Sequence, residues 1–281
     1  MPTPLPFDLY GPDHPVSPVV LSVPHAGRDY PLALRAALRV PVQALVPLED
    51  RHVDTLAIAA RASETMLVQR IARAAIDLNR AENERDPHID SGADRRMLGL
   101  PSAKLRGGLG LIPRRIASAG ELWRRKLDGE EVMARIASAH RPYHAALQAA
   151  LARAQAVFGV AVLLDLHSMP SLPGGAQIVL GDRFGRSSAA SFVARLEAAV
   201  CAAGLSCAVN TPYAGGHILD RHGAPARGVH AVQVEFDRAL YLDATRDLPG
   251  PGLPAMARLL RRMIDALADE ALAGSTPLAA E

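Results

Sequence analysis

The stretch Gly159–Pro170, GVAVLLDLHSMP, constrains the chain most. Val160, Val162, Leu163 and Leu164 form an apolar run far short of the ~20 residues that cross a bilayer. Bounded by Gly159 and a proline-containing segment, such a run predicts a fully buried strand of a parallel sheet. Asp165, His167 and Ser168 arrive at its carboxyl end, where open α/β sheets bind ligands. A neutral imidazole two residues from a carboxylate that orients it has the dress of a metal ligand. The alternative is a strand-end histidine that only caps backbone groups.

Bulk properties narrow the classes of partner. The chain has 281 residues, 49% apolar and 21% charged, enough for one large core or two modest ones. Its net charge is +2, so acids and bases nearly cancel and no nucleic-acid footprint is expected. Cys201 and Cys207 are too few for a disulfide framework or a cysteine-only zinc site and read as reduced core thiols. The opening MPTPLPFDLYGPDHP has neither the basic nor the apolar region of a signal peptide, and no apolar run is long enough to span a membrane. A cytoplasmic chain acting on a small molecule is expected, with no nucleic acid and no membrane.

Along the chain, residues 1–17 are proline-rich and predicted to lie over the surface. Val19–Val23 predicts a second buried strand, which delivers His25 at its end, and Gly27 permits a tight turn there. Asp50 precedes a helix carrying Val53, Leu56, Ala57 and Ala60; it reads either as that helix's cap or as a ligand. Residues 66–77 read as two short β segments, the second running on to Leu78 and ending in Asn79-Arg80. An arginine beside an asparagine at a strand end suits capture of a carboxylate. Residues 81–120 carry dense charge and no sustained period, so they read as an insertion at the active site rather than a domain. Arg85, Arg95, Arg96, Arg106, Arg114 and Arg115 are its candidates for an anionic site, although solvated side chains are the simpler reading.

Glu130–Phe158 has helical periodicity, with a break expected near Arg141 because Pro142 lacks a ladder donor. His140 and His144 are four apart, a spacing that can bind zinc, but the proline argues for a structural or substrate-side role. Further strands are expected at Gln177–Leu180, Leu205–Val209 and His230–Phe236, and helices at Ser188–Ala203 and Met256–Leu272. The loop Asn210–His217 has a polar tip of the kind that carries binding residues. Glu235 is a carboxylate inside a strand of valines. Burial raises a carboxyl pKa toward that of a general base or acid; the alternative is an edge position or a pair with Arg238. Strands and helices alternate, so the expected class is α/β: one domain over 1–281, a mostly parallel mixed sheet and helices on both faces.

Two histidines thus leave core strands at their ends, accompanied by Asp50, Glu235 and an Asn-Arg pair. Three His or carboxylate ligands and an open water position make a catalytic zinc. The segments SVPHAGRDYP, EDRHVDTL, IDLNRAENERDP, GLGLIP, RPYHAAL, LLDLHSMP, NTPYAGGHI and HAVQVEFDRALYLD run in this order from about Val19 to Asp243. In that order they resemble the N-formylglutamate amidohydrolase family, a relative of zinc carboxypeptidases and aspartoacylase with a phosphorylase/hydrolase-like fold.

The resemblance implies one Zn2+ held by His25, His167 and a third carboxylate. Carboxypeptidases place a glutamate three residues after the first histidine, where this chain has Arg28. The replacement falls in Glu49-Asp50, with Asp50 preferred because the family pattern has an aspartate there. Glu235 is implied as general base and then acid, and Asn79 and Arg80 as the grip on the substrate α-carboxylate. The implied reaction is hydrolysis of N-formyl-L-glutamate to formate and L-glutamate, in histidine degradation. Arg85, Arg114, Arg115 and His217 are the candidates for the second carboxylate. The rivals are a zinc hydrolase of another N-acyl amino acid or peptide, and a non-catalytic binding protein on the same fold.

Overall fold

The structure, a computed structural model, describes residues 5–94 and 100–273. Arg95 and Arg96 and the tail beyond Ala273 lie outside the described residues. The chain gathers into two compact units. The first takes the chain up to Asp8, Pro24–Asp50 and Val68–Ala146; the second takes Leu9–Val23, Arg51–Leu67 and the chain from Leu147.

The strands are β1 (Phe7–Tyr10), β2 (Val19–Val23), β3 (Thr65–Gln69), β4 (Arg115–Ile116), β5 (Gly120–Glu121), β6 (Ala161–Met169), β7 (Ile178–Gly181), β8 (Cys207–Val209) and β9 (Val229–Asp237). The helices are α1 (Leu32–Ala37), α2 (Val53–Ala60), α3 (Ala103–Arg106), α4 (Gly129–Arg135), α5 (Arg141–Phe158), α6 (Ala190–Ala202), α7 (His217–His222) and α8 (Leu253–Ala273).

Seven strands form one mixed sheet in the order β1-β3-β2-β6-β9-β7-β8. β2, β6 and β9 run parallel, β7 is antiparallel to β9, and β8 is parallel to β7. This is the mostly parallel α/β class expected. All nine residues of β6 are buried, so its sequence shows a continuous apolar run instead of an in–out alternation. In the second unit α8 packs against both α2 and α6, α2 and α8 lie on β2 and β6, α6 lies on β7, and α7 lies against β6 and β9. α8 buries Met256, Leu259, Leu260, Met263, Ile264 and Leu267, the three-and-four spacing of one helical face. Among the described residues no helix is long and apolar enough to cross a membrane.

The first unit has its own apolar cluster, including Leu38, Leu45, Leu111, Leu122, Val132 and Ile136. Residues 81–120 contribute Leu111, Ile112 and Ile116 to it, and among the described residues of that segment the regular structure is α3 and the small β4–β5 hairpin. The helix expected over Glu130–Phe158 is α4, a π turn over Ile136–His140, and α5. A widened turn of this kind accommodates the missing donor of Pro142 without ending the helix.

Three local expectations are corrected. Residues 7–10 form β1 instead of a surface extension. Ala74–Leu78 is buried but is not a strand. Its polar groups go elsewhere: the Ala75 carbonyl accepts from Arg135, and Asp77 N donates to the Leu111 carbonyl. Asp50 does not cap α2, because the residue before that helix is His52, in the left-handed region at φ 58°. The role of Gly27 also differs in its reason. A Cβ there would sit 2.4 Å from the Ile71 carbonyl oxygen and 2.6 Å from that of Arg70, so close backbone approach, not a left-handed turn, requires glycine.

Candidate functional site

On the second unit's sheet the chemistry sits near the carboxyl ends of β6 and β9. Residues two apart on a strand share a face, so Asp165 and His167 lie side by side, and both are buried. His167 Nε2 is 2.8 Å from Asp165 Oδ2. Asp165 Oδ1 accepts a 2.7 Å bond from Ser22 Oγ on β2. A carboxylate accepts, so neutral His167 keeps its proton on Nε2 and turns a lone pair outward on Nδ1.

β9 supplies the next pair in register, Gln233 opposite Asp165 and Glu235 opposite His167. Gln233 Nε2 donates to Glu235 Oε1 at 2.9 Å. Glu235 is therefore on an interior strand, buried, with a fixed rotamer beside the histidine. The edge-strand alternative is removed, since β9 lies between β6 and β7; Arg238 Nε donates to Ser168 Oγ at 3.0 Å. Nearby in the same unit, burial lowers the His222 imidazole to about 4, helped by Arg221 and His217 and opposed by Asp165.

In the first unit His25 repeats the arrangement of His167. It is buried, and its Nε2 lies 2.7 Å from Asp77 Oδ1. Asp77 is fully enclosed, which works to raise its pKa. Arg73, His25 and Arg80 outweigh this and hold it well below the usual carboxylate range. Arg73 binds Asp77 Oδ2 through Nε at 2.9 Å and through its terminal nitrogen at 2.8 Å. The other ring nitrogen, His25 Nδ1, faces Asp50 Oδ2 at 3.5 Å, and Asp50 N donates to the His25 carbonyl at 3.0 Å. Glu49 instead accepts from the Tyr30 hydroxyl.

His25 follows the end of β2 by two residues, and β2 pairs with β6 through Ser22 and Asp165. The chain thus leaves β2 for His25 at the strand end where β6 carries His167. His25 and Asp50 of the first unit, and His167 of the second, are side chains of the kind that hold a metal ion, as are His140 and His144 of the first and His217 of the second.

Asn79 and Arg80 are buried in a turn of the first unit. Arg80 Nε donates to the Leu109 carbonyl at 3.0 Å, tying it to the 81–120 segment. Arg85 is bound bidentately by Asp90, at 2.5 and 2.8 Å. Arg114 is bound by Asp86 and Glu121. Those two guanidinium forks serve the segment's own structure. Arg106 and Arg115 are exposed, and His217 is half-buried at the start of α7.

Sequence reasoning missed Asp77, Ser22 and Gln233 as supports of the histidines and of Glu235. For Ser22 and Gln233 the signal was a polar residue inside an apolar strand, VVLSV and HAVQVEF. For Asp77 no local pattern separates an orienting carboxylate from an ordinary ion-pair partner.

Fold and site together define an α/β protein whose parallel strands set histidine and carboxylate side by side at their carboxyl ends. The profile of the N-formylglutamate amidohydrolase family matches residues 17–242. Curated N-formylglutamate deformylases of Pseudomonas aeruginosa and Pseudomonas putida are each 32% identical to the chain. The first alignment covers 80% of this chain and 82% of the relative, the second 88% and 92%. The crystal structure of an N-formylglutamate amidohydrolase from Ralstonia eutropha superposes with a TM-score of 0.87 at 33% identity, covering 96% of this chain and 99% of the other. A gene product of Agrobacterium tumefaciens shares the fold at a TM-score of 0.66 and 19% identity, covering 96% of each chain. The chain belongs to the N-formylglutamate amidohydrolase family.

Proposed function

We propose that this chain is a metal-dependent amidohydrolase that cleaves N-formyl-L-glutamate to formate and L-glutamate, in the cytoplasm, as one functional domain with 81–120 as its active-site insertion. The observation that carries the substrate is the match, over four-fifths or more of each chain's length, to two relatives named N-formylglutamate deformylase. We assign His25, Asp50 and His167 as ligands of one zinc ion.

The donor set supports that assignment. Each histidine is anchored through Nε2 by a buried aspartate, the usual outer partner of a metal-bound imidazole. A lone pair on His25 Nδ1 and the Asp50 carboxylate, 3.5 Å apart, repel unless a cation or proton lies between them. Two imidazoles and one carboxylate are ligands zinc accepts, and when bound the ion supplies a Lewis acid and a water of lowered pKa.

The remaining chemistry belongs to the side chains. Glu235 takes the proton of the attacking water and returns it to the departing amine nitrogen. Gln233 holds the Glu235 carboxylate by donating to Oε1. Asn79 and Arg80 hold the α-carboxylate and fix the formyl carbon within reach. His217 and Arg115 remain the candidates for the second carboxylate, since Arg85 and Arg114 are held in ion pairs. Arg85 joins the substrate site only if substrate displaces Asp90.

The test is L-glutamate release by purified protein from N-formyl-, N-acetyl- and peptidyl-L-glutamate, with metal analysis of the same preparation. Preference for the formyl substrate with one zinc per chain is expected. Preference for the acetyl or peptidyl substrate would overturn the substrate, and metal-free active protein would overturn the zinc assignment.

A further inference from the structure

The turn that carries Asn79 and Arg80 is held at the Leu78 carbonyl and at both backbone polar groups of Asn79 and of Arg80. Leu78 O accepts from His144 Nε2 at 3.0 Å, and Asn79 N donates to Asp77 Oδ1 at 2.8 Å. Asn79 O accepts from the Arg80 guanidinium at 2.8 Å, and Arg80 N donates to Asp77 O at 3.2 Å. Arg80 O accepts from His140 Nε2 at 2.8 Å. The carbonyls that bracket Asn79 are therefore both held by imidazoles.

His140 and His144 have no exposed surface. A carbonyl only accepts, so each ring must donate from Nε2, which sets the tautomer of both. Their rings are tilted against each other with centroids 4.4 Å apart. The π turn ends on His140 and α5 begins at Arg141, so residues four apart still share one face. Glu82 lies 3.7 Å from His140 Nδ1, beyond hydrogen-bond range, and its carboxylate is bound by Arg141. Two buried imidazoles are costly unless their donors are used. Here both donors serve one three-residue turn, which no secondary-structure ladder holds.

We infer that His140 and His144 are positioning residues that clamp the Leu78–Arg80 turn and so set selectivity for a substrate bearing an α-carboxylate. The inference rests on the reading that Asn79 and Arg80 grip that carboxylate. It assigns the pair a role other than the metal-binding one their spacing also allows.

Glutamine and asparagine substitutions separate the clamp from simple packing. A glutamine amide nitrogen reaches about as far as Nε2, whereas that of asparagine stops near the position of Nδ1. H144Q is expected to keep the KM for N-formyl-L-glutamate. H144N is expected to raise it about tenfold with kcat little changed, as suits a substrate anchor displaced by a fraction of an ångström. H144N should also reduce the preference for N-formyl-L-glutamate over its α-carboxamide, and H140Q and H140N should repeat the pattern at the other carbonyl. In an R80K background H144N should add no further rise in KM, because both changes remove the same grip.

Equal kinetics of H144N and H144Q, with R80K alone raising KM, would overturn the clamp and leave the carboxylate grip standing. R80K alone leaving KM unchanged would overturn the grip itself, and the clamp's role in selectivity with it. A second equivalent of zinc, lost in both H144Q and H144N, would overturn the clamp in favour of a metal role.

Discussion

The residues with the most consequence are the aspartates behind the histidines and the glutamate beside one of them. Asp77 and Glu235 are both buried carboxylates, yet their surroundings give them different work. Asp77 is enclosed among Arg73, His25 and the Asn79 amide, so it stays ionised and orients an imidazole. Glu235 has the Gln233 amide for a neighbour, and it stands in register with His167. A paired experiment separates the roles. E235Q should lower kcat by on the order of 10²–10⁴-fold, the contribution of a general base, while retaining metal. D77N should instead weaken metal affinity by about 10–100-fold, the usual effect of removing a ligand's outer partner. Metal titration by calorimetry alongside steady-state kinetics reads both. Loss of metal in E235Q, or unchanged affinity in D77N, would reverse or remove the assignments. His25, His167 and Glu235 were legible as chemistry because each interrupts or ends an apolar strand. Asp77 was not, because its importance comes from what the fold encloses around it.

At the scale of elements, β6, β9 and α8 were legible because a single period or an unbroken apolar run decides them. Ala74–Leu78 has a comparable apolar run and is no strand. Its carbonyls at Ala75 and Leu78 accept from Arg135 and His144, and that of Arg80 just beyond accepts from His140, side chains that lie 60 or more residues away. Burial without a ladder leaves the same apolar signature in the sequence as a strand does. The passage from β2 to His25 depends on a related long-range fact. Gly27 lies against the Arg70 and Ile71 carbonyls, and an added Cβ would meet both oxygens at 2.6 Å or less. Neither neighbour is a side chain that can rotate away. G27A should therefore cost about 1–3 kcal/mol, the range for overpacking, or more if the backbone cannot shift. Its melting temperature should fall, and its metal affinity should fall with it, since His25 is two residues away. A G27A protein with the parent's melting temperature would show that the backbone yields freely there.

For the whole molecule, the consequence that reaches furthest from any single site is how stability depends on pH. His222 is buried on α7 with its pKa lowered from 6.5 to about 4, chiefly by burial. In the unfolded chain the imidazole binds a proton as pH falls through 6.5; in the folded chain it resists until about 4. Between those values the unfolded state holds more protons, so stability rises with pH and is lost on acidification. The full span is worth about 3 kcal/mol. Carboxylates act lower. Glu64, where burial is outweighed by Arg261 and backbone donors, and Asp86, where it is outweighed by His88 and Arg114, are both held below their ordinary values. They withdraw stability only below the usual carboxylate range near ~4. The window from 4.5 to 6.5 therefore belongs to histidine. His230, also lowered by burial, acts in the same direction and remains after His222 is replaced. Substituting His222→Gln removes one titrating group from that window without adding another. Chemical denaturation at half-unit steps should give a smaller slope of stability against pH for the variant, whatever its absolute stability. Parallel curves for the two proteins would mean that His222 takes up its proton as readily in the folded chain as in water.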